Sequence, residues 1–215
     1  YDYVTSLVAG DWGESLRTHN DVMGDVLHFL PSSLELIFAG MTIAIVVGVL
    51  LGASSAYMSN GAVDHSSRIL AIAGVSLPAF FLALILQIVF FRVLHWFPVG
   101  LQMDPIVAQQ HPVTTITGML VVDSLITANW PALVNSLQHL VLPALTLALF
   151  YMAVYARMTR ASMLEVAQMD FVKTARAKGV RPGRIQRAHI LRNALLPVVT
   201  LAGIQAGGMI GGAVL

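Results

Sequence analysis

The chain has 215 residues, of which 57% are hydrophobic and 11% are charged, and its formal net charge is +1. Because soluble domains average roughly 25% charged residues, this composition argues against a soluble globular protein. Cysteine is absent, so neither a disulfide framework nor a thiolate metal site can form.

Four stretches without a charged residue are each long enough to cross a bilayer. A helix rises about 1.5 Å per residue and the hydrocarbon core is about 30 Å thick, so about 20 apolar residues are needed. The alternating polarity of transmembrane β-strands is missing, which predicts an all-α, polytopic transmembrane helical bundle. We expect its spans at residues 32–58, 68–94, 139–159 and 193–215.

The segments outside these spans differ in charge. Residues 1–31 are acidic, residues 95–138 are proline-rich and contain no Lys or Arg, and residues 160–192 are strongly basic. Nine of the twelve Lys and Arg residues lie between Arg157 and Arg192. Since basic residues are retained on the cytoplasmic side of short loops, residues 160–192 are expected inside, and the other two segments outside.

Both ends of the sequence suggest that the visible chain is part of a longer one. It begins at Tyr1 rather than Met, shows no cleavable signal pattern, and ends at Leu215 within an apolar run. We therefore expect further helices before Tyr1 and after Leu215, and one permease-like membrane domain over residues 1–215.

Small residues recur within the first and last spans. Small residues four positions apart on a helix let the backbones of two helices approach closely in lipid. This spacing indicates either packing within the chain, or a subunit seam or pore wall. The glycines concerned are Gly48, Gly52, Gly203, Gly207, Gly208, Gly211 and Gly212.

A few polar or helix-breaking residues within the spans are candidates for lining a translocation pathway. Pro78 is expected to break the hydrogen-bond ladder in mid-span, and Pro143 and Pro197 to lie near the starts of their helices. Gln87 and Gln205 are expected either to bond a neighbouring helix or to line the path. The pathway candidates are Ser76, Pro78, Gln87 and Gln205.

Signatures of catalysis are missing from the sequence. It has no phosphate-binding loop, zinc-binding H-E-x-x-H helix or nucleophile elbow, so we expect neither an enzyme nor a resident metal or cofactor. No charged residue lies deep in a span. This counts against a carrier coupled to protons or ions, because such carriers place ionisable groups within the membrane.

The basic segment is the most informative part of the chain. Residues 161–178 are rich in helix formers, Gly179 and Pro182-Gly183 interrupt them, and a helix is expected to resume at residues 185–194. A short basic amphipathic helix between two breaks either contacts anionic lipid or docks on a partner.

The motifs of this segment resemble a known family. Asp170-Phe-Val-Lys-Thr-Ala-Arg-Ala-Lys-Gly179, followed by His189-Ile-Leu-Arg-Asn-Ala-Leu-Leu-Pro197, is similar to the cytoplasmic EAA loop of permeases from binding-protein-dependent ABC importers. The branch that it resembles carries dipeptides, oligopeptides or nickel. Further motifs extend the resemblance over essentially the whole chain: Gly10-Asp-Trp-Gly13, Leu30-Pro31-Ser-Ser-Leu-Glu35, Val75-Ser-Leu-Pro78 and Trp96-Phe-Pro98-Val-Gly100.

The resemblance implies a type I importer permease whose four visible spans are helices two to five of six. It also implies that residues 160–192 form a coupling loop whose short helix enters a groove on a cytoplasmic ATPase. One departure is that Thr174 stands where the general EAA pattern begins with glutamate. The expected coupling residues are Asp170, Lys173, Thr174, Ala175, Arg176, Ala177, Lys178, Gly179, Arg181 and Gly183.

The implied assembly contains a second, different permease chain, two ATPase subunits that use ATP and Mg, and an extracytoplasmic solute-binding protein. It would lie in the inner membrane of a bacterial or archaeal cell and contact lipid, but no nucleic acid. Di- or oligopeptides are the first candidate substrates, followed by nickel and glutathione. An ion-coupled secondary carrier and a membrane-embedded scaffold or receptor are the alternative classes.

Overall fold

A computed structural model describes residues 12–15, 18–59, 61–62, 64–65, 69 and 77–214 of the chain. Over these residues the secondary structure is helical, apart from an isolated β-bridge between Glu14 and Asp21. The predicted all-α class is confirmed. The helices are α1 (Val22–Tyr57), α2 (Ala79–Val93), α3 (Pro105–Gln110), α4 (Leu120–Ile126), α5 (Trp130–Val166), α6 (Asp170–Ala177) and α7 (residues 182–214).

Two of these helices contain a wider π-helical segment. In α2, the α-helical turns of Ala79–Leu86 continue as a π-helix over Gln87–Val93. In α7, a first turn at Pro182–Arg184 is followed by a π-helix over Ile185–Leu191, and then by an α-helix over Arg192–Val214.

Three helices are long and apolar enough to cross a membrane. They are α1, α5 and the Pro182–Ile210 part of α7, and they correspond to the first, third and fourth predicted spans. The second predicted span, residues 68–94, is described mainly over Ala79–Val93, which is a shorter apolar helix. The four-span prediction therefore agrees with the structure as far as its second span is described.

Helices α1 and α5 begin earlier than the predicted spans. Helix α1 begins at Val22 rather than at residue 32 because the Asp21 carboxylate accepts a hydrogen bond from the Gly24 N–H at 2.7 Å and caps the helix. Helix α5 begins at Trp130, with Asn129 as its N-cap. At about 1.5 Å per residue, each is roughly 54 Å long, well beyond the hydrocarbon thickness of about 30 Å.

The core of the fold is a close pair formed by α1 and α5, which run in the same direction. Gly40 lies against Ala144 and Leu147, whereas Gly52 lies against Ala156 and Thr159. A Cβ atom at position 52 would fall 2.4 Å from the Ala156 carbonyl oxygen. This contact is possible only because glycine has no side chain, so the α1 glycines serve packing within the chain.

Helix α7 packs across this pair in the opposite direction. Val198 of α7 is buried in a cluster with Ala44, Ala148 and Tyr155. The glycines on the far part of α7 differ from those of α1, because a Cβ atom added at Gly203, Gly207 or Gly208 would have no described atom within 4 Å. This face of α7 is therefore not packed against the described part of the chain.

The prolines correct two of the sequence predictions. Pro143 and Pro197 lie inside their helices rather than near the starts, because α5 and α7 begin well before the apolar stretches do. Pro78 is the N-cap of α2, with extended backbone (φ −58°, ψ 139°), so the helix begins directly after it, within the predicted span of residues 68–94. A residue without an N–H is well tolerated at a helix start.

Candidate translocation cavity and coupling loop

A cavity lies between α1, α2 and α5 beneath the segment that follows α2. It consists of two adjoining pockets of about 270 and 400 Å³ that share four lining residues. The shared residues are Leu36, Leu101, His139 and Pro143. The larger pocket adds Gln87 and Thr146 and the smaller adds Glu35 and Ser136, so the walls are mainly apolar with isolated polar groups.

Gln87 is the predicted pathway residue that this cavity contains. It begins the π-helical segment of α2, and π-helical turns occur frequently at functional sites. The structure gives Gln87 and Gln205 no side-chain hydrogen bond to another described residue, so the expected interhelical bonds are not found there. Pro78 and Gln205 are not among the described residues that line either pocket, and Ser76 lies outside the described residues.

His139 is a cavity residue that sequence reasoning does not select. Its Nδ1 lies 2.9 Å from the carbonyl oxygen of Asn135, one turn earlier on α5. Since a carbonyl oxygen can only accept, Nδ1 is the donor in this contact. The sequence places His139 at the start of the predicted span 139–159, whereas α5 begins at Trp130 and holds His139 inside the helix.

Glu35 joins the first half of α1 to the segment between α2 and α5. Its Oε1 accepts hydrogen bonds from the backbone N–H groups of Val121 at 2.8 Å and Val122 at 3.3 Å. These are among the first N–H groups of α4, which no residue earlier in that helix can satisfy. The contact therefore fixes α4 at the rim of the cavity.

Asp123 organises the loop that leads into α4. Its buried carboxylate accepts the N–H groups of Ile116, Thr117 and Gly118 and the hydroxyl of Thr117. Burial alone would raise the pKa of Asp123, but these four hydrogen bonds outweigh it and lower the pKa below its ordinary value. Asp123 thus holds the loop as an anion.

The loop also touches α1 directly at Gly118. Its φ of +79° lies in the left-handed region, and a Cβ atom there would fall 2.9 Å from Cγ of Pro31. Two conditions therefore favour glycine at this position: the backbone conformation and the lack of space. Together with Glu35, this contact closes the side of the cavity that faces α4.

The predicted helix over residues 161–178 is wrong in one respect, because it is two helices. Helix α5 ends at Val166, and the N–H groups of Gln168 and Met169 bond the carbonyls of Glu165 and Val166, which tightens the chain into a turn. Helix α6 then begins at Asp170. The break lets the short helix turn away from the axis of the long one.

Helix α6 is held by its apolar side. Val172 and Ala175 are buried in a cluster with Met163, Ile185 and Ile190, which belong to α5 and α7. The opposite side of α6 is exposed and carries most of the predicted coupling residues. Exposed among them are Asp170, Lys173, Thr174, Arg176, Ala177, Lys178, Gly179, Arg181 and Gly183, whereas Ala175 faces the cluster.

The end of α6 is fixed by its backbone. Gly179 has a φ of +71°, its N–H bonds the Arg176 carbonyl at 3.0 Å, and the Val180 N–H bonds the Ala175 carbonyl at 3.2 Å. This pair of bonds is a Schellman motif, for which a left-handed residue is required. The break predicted at Gly179 is confirmed, but Pro182 and Gly183 begin α7 rather than interrupting a helix.

The described part of the chain contains no group of three or more His, Asp or Glu side chains that could hold a metal ion. Two features therefore remain as candidate functional sites: the cavity between α1, α2 and α5, and the exposed side of α6. They lie at opposite ends of α5, which connects them.

These features belong to a known class of membrane protein. Residues 48–215 match the family of binding-protein-dependent transport system inner membrane components, and the chain belongs to this family. The resemblance noted from the sequence is thereby confirmed at the level of the family.

Several relatives are similar over nearly the whole chain. The dipeptide transport system permease protein DppB of Alkalihalophilus pseudofirmus is 39% identical over 213 residues, which cover 99% of this chain and 63% of the relative. The di/tripeptide transport system permease protein DppB of Pseudomonas aeruginosa is 40% identical, covering 100% and 62%. The probable D,D-dipeptide transport system permease protein DdpB of Escherichia coli is also 40% identical, with the same coverage. The chain thus spans about three fifths of the length of these relatives.

Proposed function

We propose that this chain is the membrane-spanning permease part of an ATP-driven importer of di- or oligopeptides. The observation that carries the proposal is α6, a short helix anchored on the ends of α5 and α7 with its polar side exposed. Membership of the transport family and the peptide permeases among its relatives support the substrate class.

The exposed side of α6 is suited to docking on another protein. Its side chains project from a helix whose position is set by buried Val172 and whose C-terminal end is set by Gly179. A rigid helix transmits a push along its own axis, whereas a flexible loop would absorb it. We infer that an ATPase subunit binds this side, with Arg176, Lys178 and Arg181 supplying polar contacts.

The remaining partners follow from the family. We propose that two ATPase subunits use ATP and Mg outside this chain, that a second permease chain completes the pathway, and that an extracytoplasmic binding protein delivers the peptide. The chain would cross the inner membrane of a bacterial or archaeal cell several times. The unpacked glycine face of α7 is available for the second permease.

The cavity is suited to passing peptides of varied sequence. Its walls offer Gln87, His139 and Thr146 as hydrogen-bonding groups among apolar side chains. Glu35 also lines the smaller pocket, where its carboxyl group is engaged by the N–H groups of α4. A peptide backbone can exchange hydrogen bonds with the polar groups of the wall, and the acidic group among the described lining residues is already bound within the chain, so the wall does not select one peptide side chain over another.

The direct test is solute uptake by the complete importer. The full-length protein would be reconstituted in proteoliposomes with its partner permease, ATPases and binding protein, and uptake of a labelled dipeptide would be followed with and without ATP. Unlabelled nickel and glutathione serve as competitors. A separate sample receives a proton or sodium gradient but no ATP.

The proposal predicts uptake that requires ATP and is competed by peptides alone. Competition by nickel or glutathione, but not by peptides, would leave the permease function and refute the substrate. Uptake driven by the ion gradient without ATP would refute the coupling to ATPases and make the protein a secondary carrier.

A further inference from the structure

A buried ion pair lies between α1 and α5 at the end of the pair that is nearer to α6. The Asp64 carboxylate is fully buried and accepts hydrogen bonds from Arg160 Nε at 2.7 Å and Arg160 Nη2 at 3.0 Å. Its Oδ1 also accepts the hydroxyl of Ser55 at 2.5 Å. These three residues are called the Asp64 clamp.

The Asp64 clamp joins three separate segments of the chain. Ser55 belongs to the last turn of α1, Asp64 to the connection that leads from α1 to α2, and Arg160 to α5. Arg160 lies six residues before the end of α5, or about 9 Å along the helix. The clamp is therefore close to the point where α5 leads into the coupling helix α6.

Its geometry fixes orientation as well as distance. A guanidinium that bonds both oxygens of one carboxylate forms a planar fork, which resists rotation of either partner. Apolar contacts such as those of Ala53 and Ala56 with the cluster around Met163 are not directional in this way. The burial of Asp64 adds to this, because weakening the bonds of a buried charge is costly.

Packing above the clamp makes α1 and α5 a single unit. Gly48 lies against the carbonyl oxygen of Met152, and Gly52 against that of Ala156, so closely that a Cβ atom at either position would overlap the facing oxygen. These contacts join α5 to α1 but do not reach the connection to α2. The clamp links α5 to that connection, in addition to the direct packing of α2 on α5, and α2 is the helix that brings Gln87 to the cavity.

We propose that Asp64 and Arg160 are positioning residues for energy coupling. They tie the connection between α1 and α2 to α5, so that movement of α6 is transmitted to the cavity wall carried by α2. This proposal rests on the function proposed above, because it assumes that α6 is moved by an ATPase.

The test is the number of peptides transported per ATP hydrolysed by the complete importer in proteoliposomes. Arg160→Lys keeps the positive charge but cannot form the fork. Arg157→Lys is the matched control, because Arg157 lies one turn earlier on α5, is exposed, and has no ion pair in the described part of the chain. The amount of assembled complex is measured for each variant, so that the ratio refers to intact importers.

Arg160→Lys is expected to lower the transport ratio by about tenfold, within the roughly 5- to 150-fold range typical of coupling between two sites. Arg157→Lys is expected to leave the ratio unchanged. An unchanged ratio in Arg160→Lys would overturn the proposal, even if the variant were less stable, because a purely stabilising pair changes the amount of complex and not its efficiency.

A milder variant decides the matter if Arg160→Lys does not assemble. Ser55→Ala removes one hydrogen bond from Asp64 and leaves the ion pair in place. A fall in the ratio relative to wild type supports the proposal, and an equal ratio overturns it. If the wild-type importer itself shows no ATP-dependent uptake, the proposed function is refuted. If the wild type takes up peptide with ATP and the variants keep its transport ratio, only the positioning role of Asp64 and Arg160 is refuted.

Discussion

The contact between α1 and α5 is tested most sharply at Gly52. In Gly52→Ala, the new Cβ would lie 2.4 Å from the Ala156 carbonyl oxygen and 2.7 Å from Cβ of Thr159. Favourable separations between carbon atoms are about 3.5–4.0 Å, so the two helices must move apart by roughly 1 Å. Such a gap forfeits about a quarter to a half of the dispersion attraction across the interface.

We expect Gly52→Ala to lower the free energy of unfolding by about 2–3 kcal/mol, the upper part of the range for overpacked interiors. This corresponds to a factor of roughly 30–150 in the folding equilibrium. The assay is a titration of the purified full-length protein with sodium dodecyl sulfate, followed by circular dichroism. Gly203→Ala is the matched control, because no described atom lies within 4 Å of its Cβ position.

The control should unfold at or above the wild-type midpoint, since alanine is the better helix former. The packing account would be refuted if Gly52→Ala unfolded at the wild-type midpoint, or if both variants shifted equally. Equal shifts would mean that glycine is needed in both helices for a reason unrelated to the contact with α5.

Three further predictions concern the loops. Because the pKa of Asp123 is lowered, the stabilisation of the loop by its carboxylate is present above the ordinary carboxyl pKa of 3.8 and is lost as the pH falls below that value. Asp123→Asn should remove this pH dependence from the hydrogen-exchange protection of the Thr117 and Gly118 amides. Glu35→Ala should cost α4 about 0.5–2 kcal/mol of local stability, as for a lost N-cap, and Glu35→Gln should cost less because its amide oxygen still accepts hydrogen bonds. Hydrogen exchange of the Val121 and Val122 amides measures both effects. Equal protection of these amides in the two variants would contradict the role of Oε1. Gly179→Ala should destabilise the end of α6 by about 1–2 kcal/mol because position 179 has a positive φ, whereas Gly183→Ala should not. Hydrogen exchange of the Val180 amide distinguishes the two variants. Equal exchange rates in both would refute the predicted backbone strain at position 179.

The long apolar helices can be predicted from the sequence, but their starts cannot. A run of about 20 apolar residues identifies a span because each charged group would be costly in lipid. The first turns of α1 and α5 are instead set by the local caps Asp21 and Asn129, within segments whose composition is typical of a polar loop. Errors in these starts also explain why Pro143, predicted near a helix start, lies inside a helix.

The sequence predicts the polar features of the proposed coupling loop, residues 160–192, better than it predicts how the loop packs. Gly179 marks the end of α6 because a left-handed residue is needed there. The break before Asp170 has no glycine or proline to announce it, and follows from burial of Val172 and Ala175 against α5 and α7. Such a break depends on tertiary contacts, which no local pattern encodes.

The cavity and the Asp64 clamp depend on residues far apart in the chain. Gln87 stands out as a polar residue in an apolar helix, whereas Glu35 and His139 lie at span ends, where polar residues are common. Asp64 and Arg160 are separated by 96 positions, and each alone is an ordinary charge beside a membrane span. Only the packing of α1 against α5 brings these groups together.

The central claim is that the polar side of α6 couples this chain to ATP hydrolysis. Its most direct test is ATP hydrolysis by the reconstituted complete importer, with and without peptide-loaded binding protein, for wild type and for Arg176→Glu combined with Gly179→Pro. Arg92→Glu, which lies in the last turn of α2 and outside α6, controls for the change in charge. The account predicts that stimulation by the binding protein is lost in the α6 variant alone, although the variant still inserts in the membrane with its partner permease. Stimulation equal to wild type in the α6 variant would contradict it and leave α6 as a connector between α5 and α7.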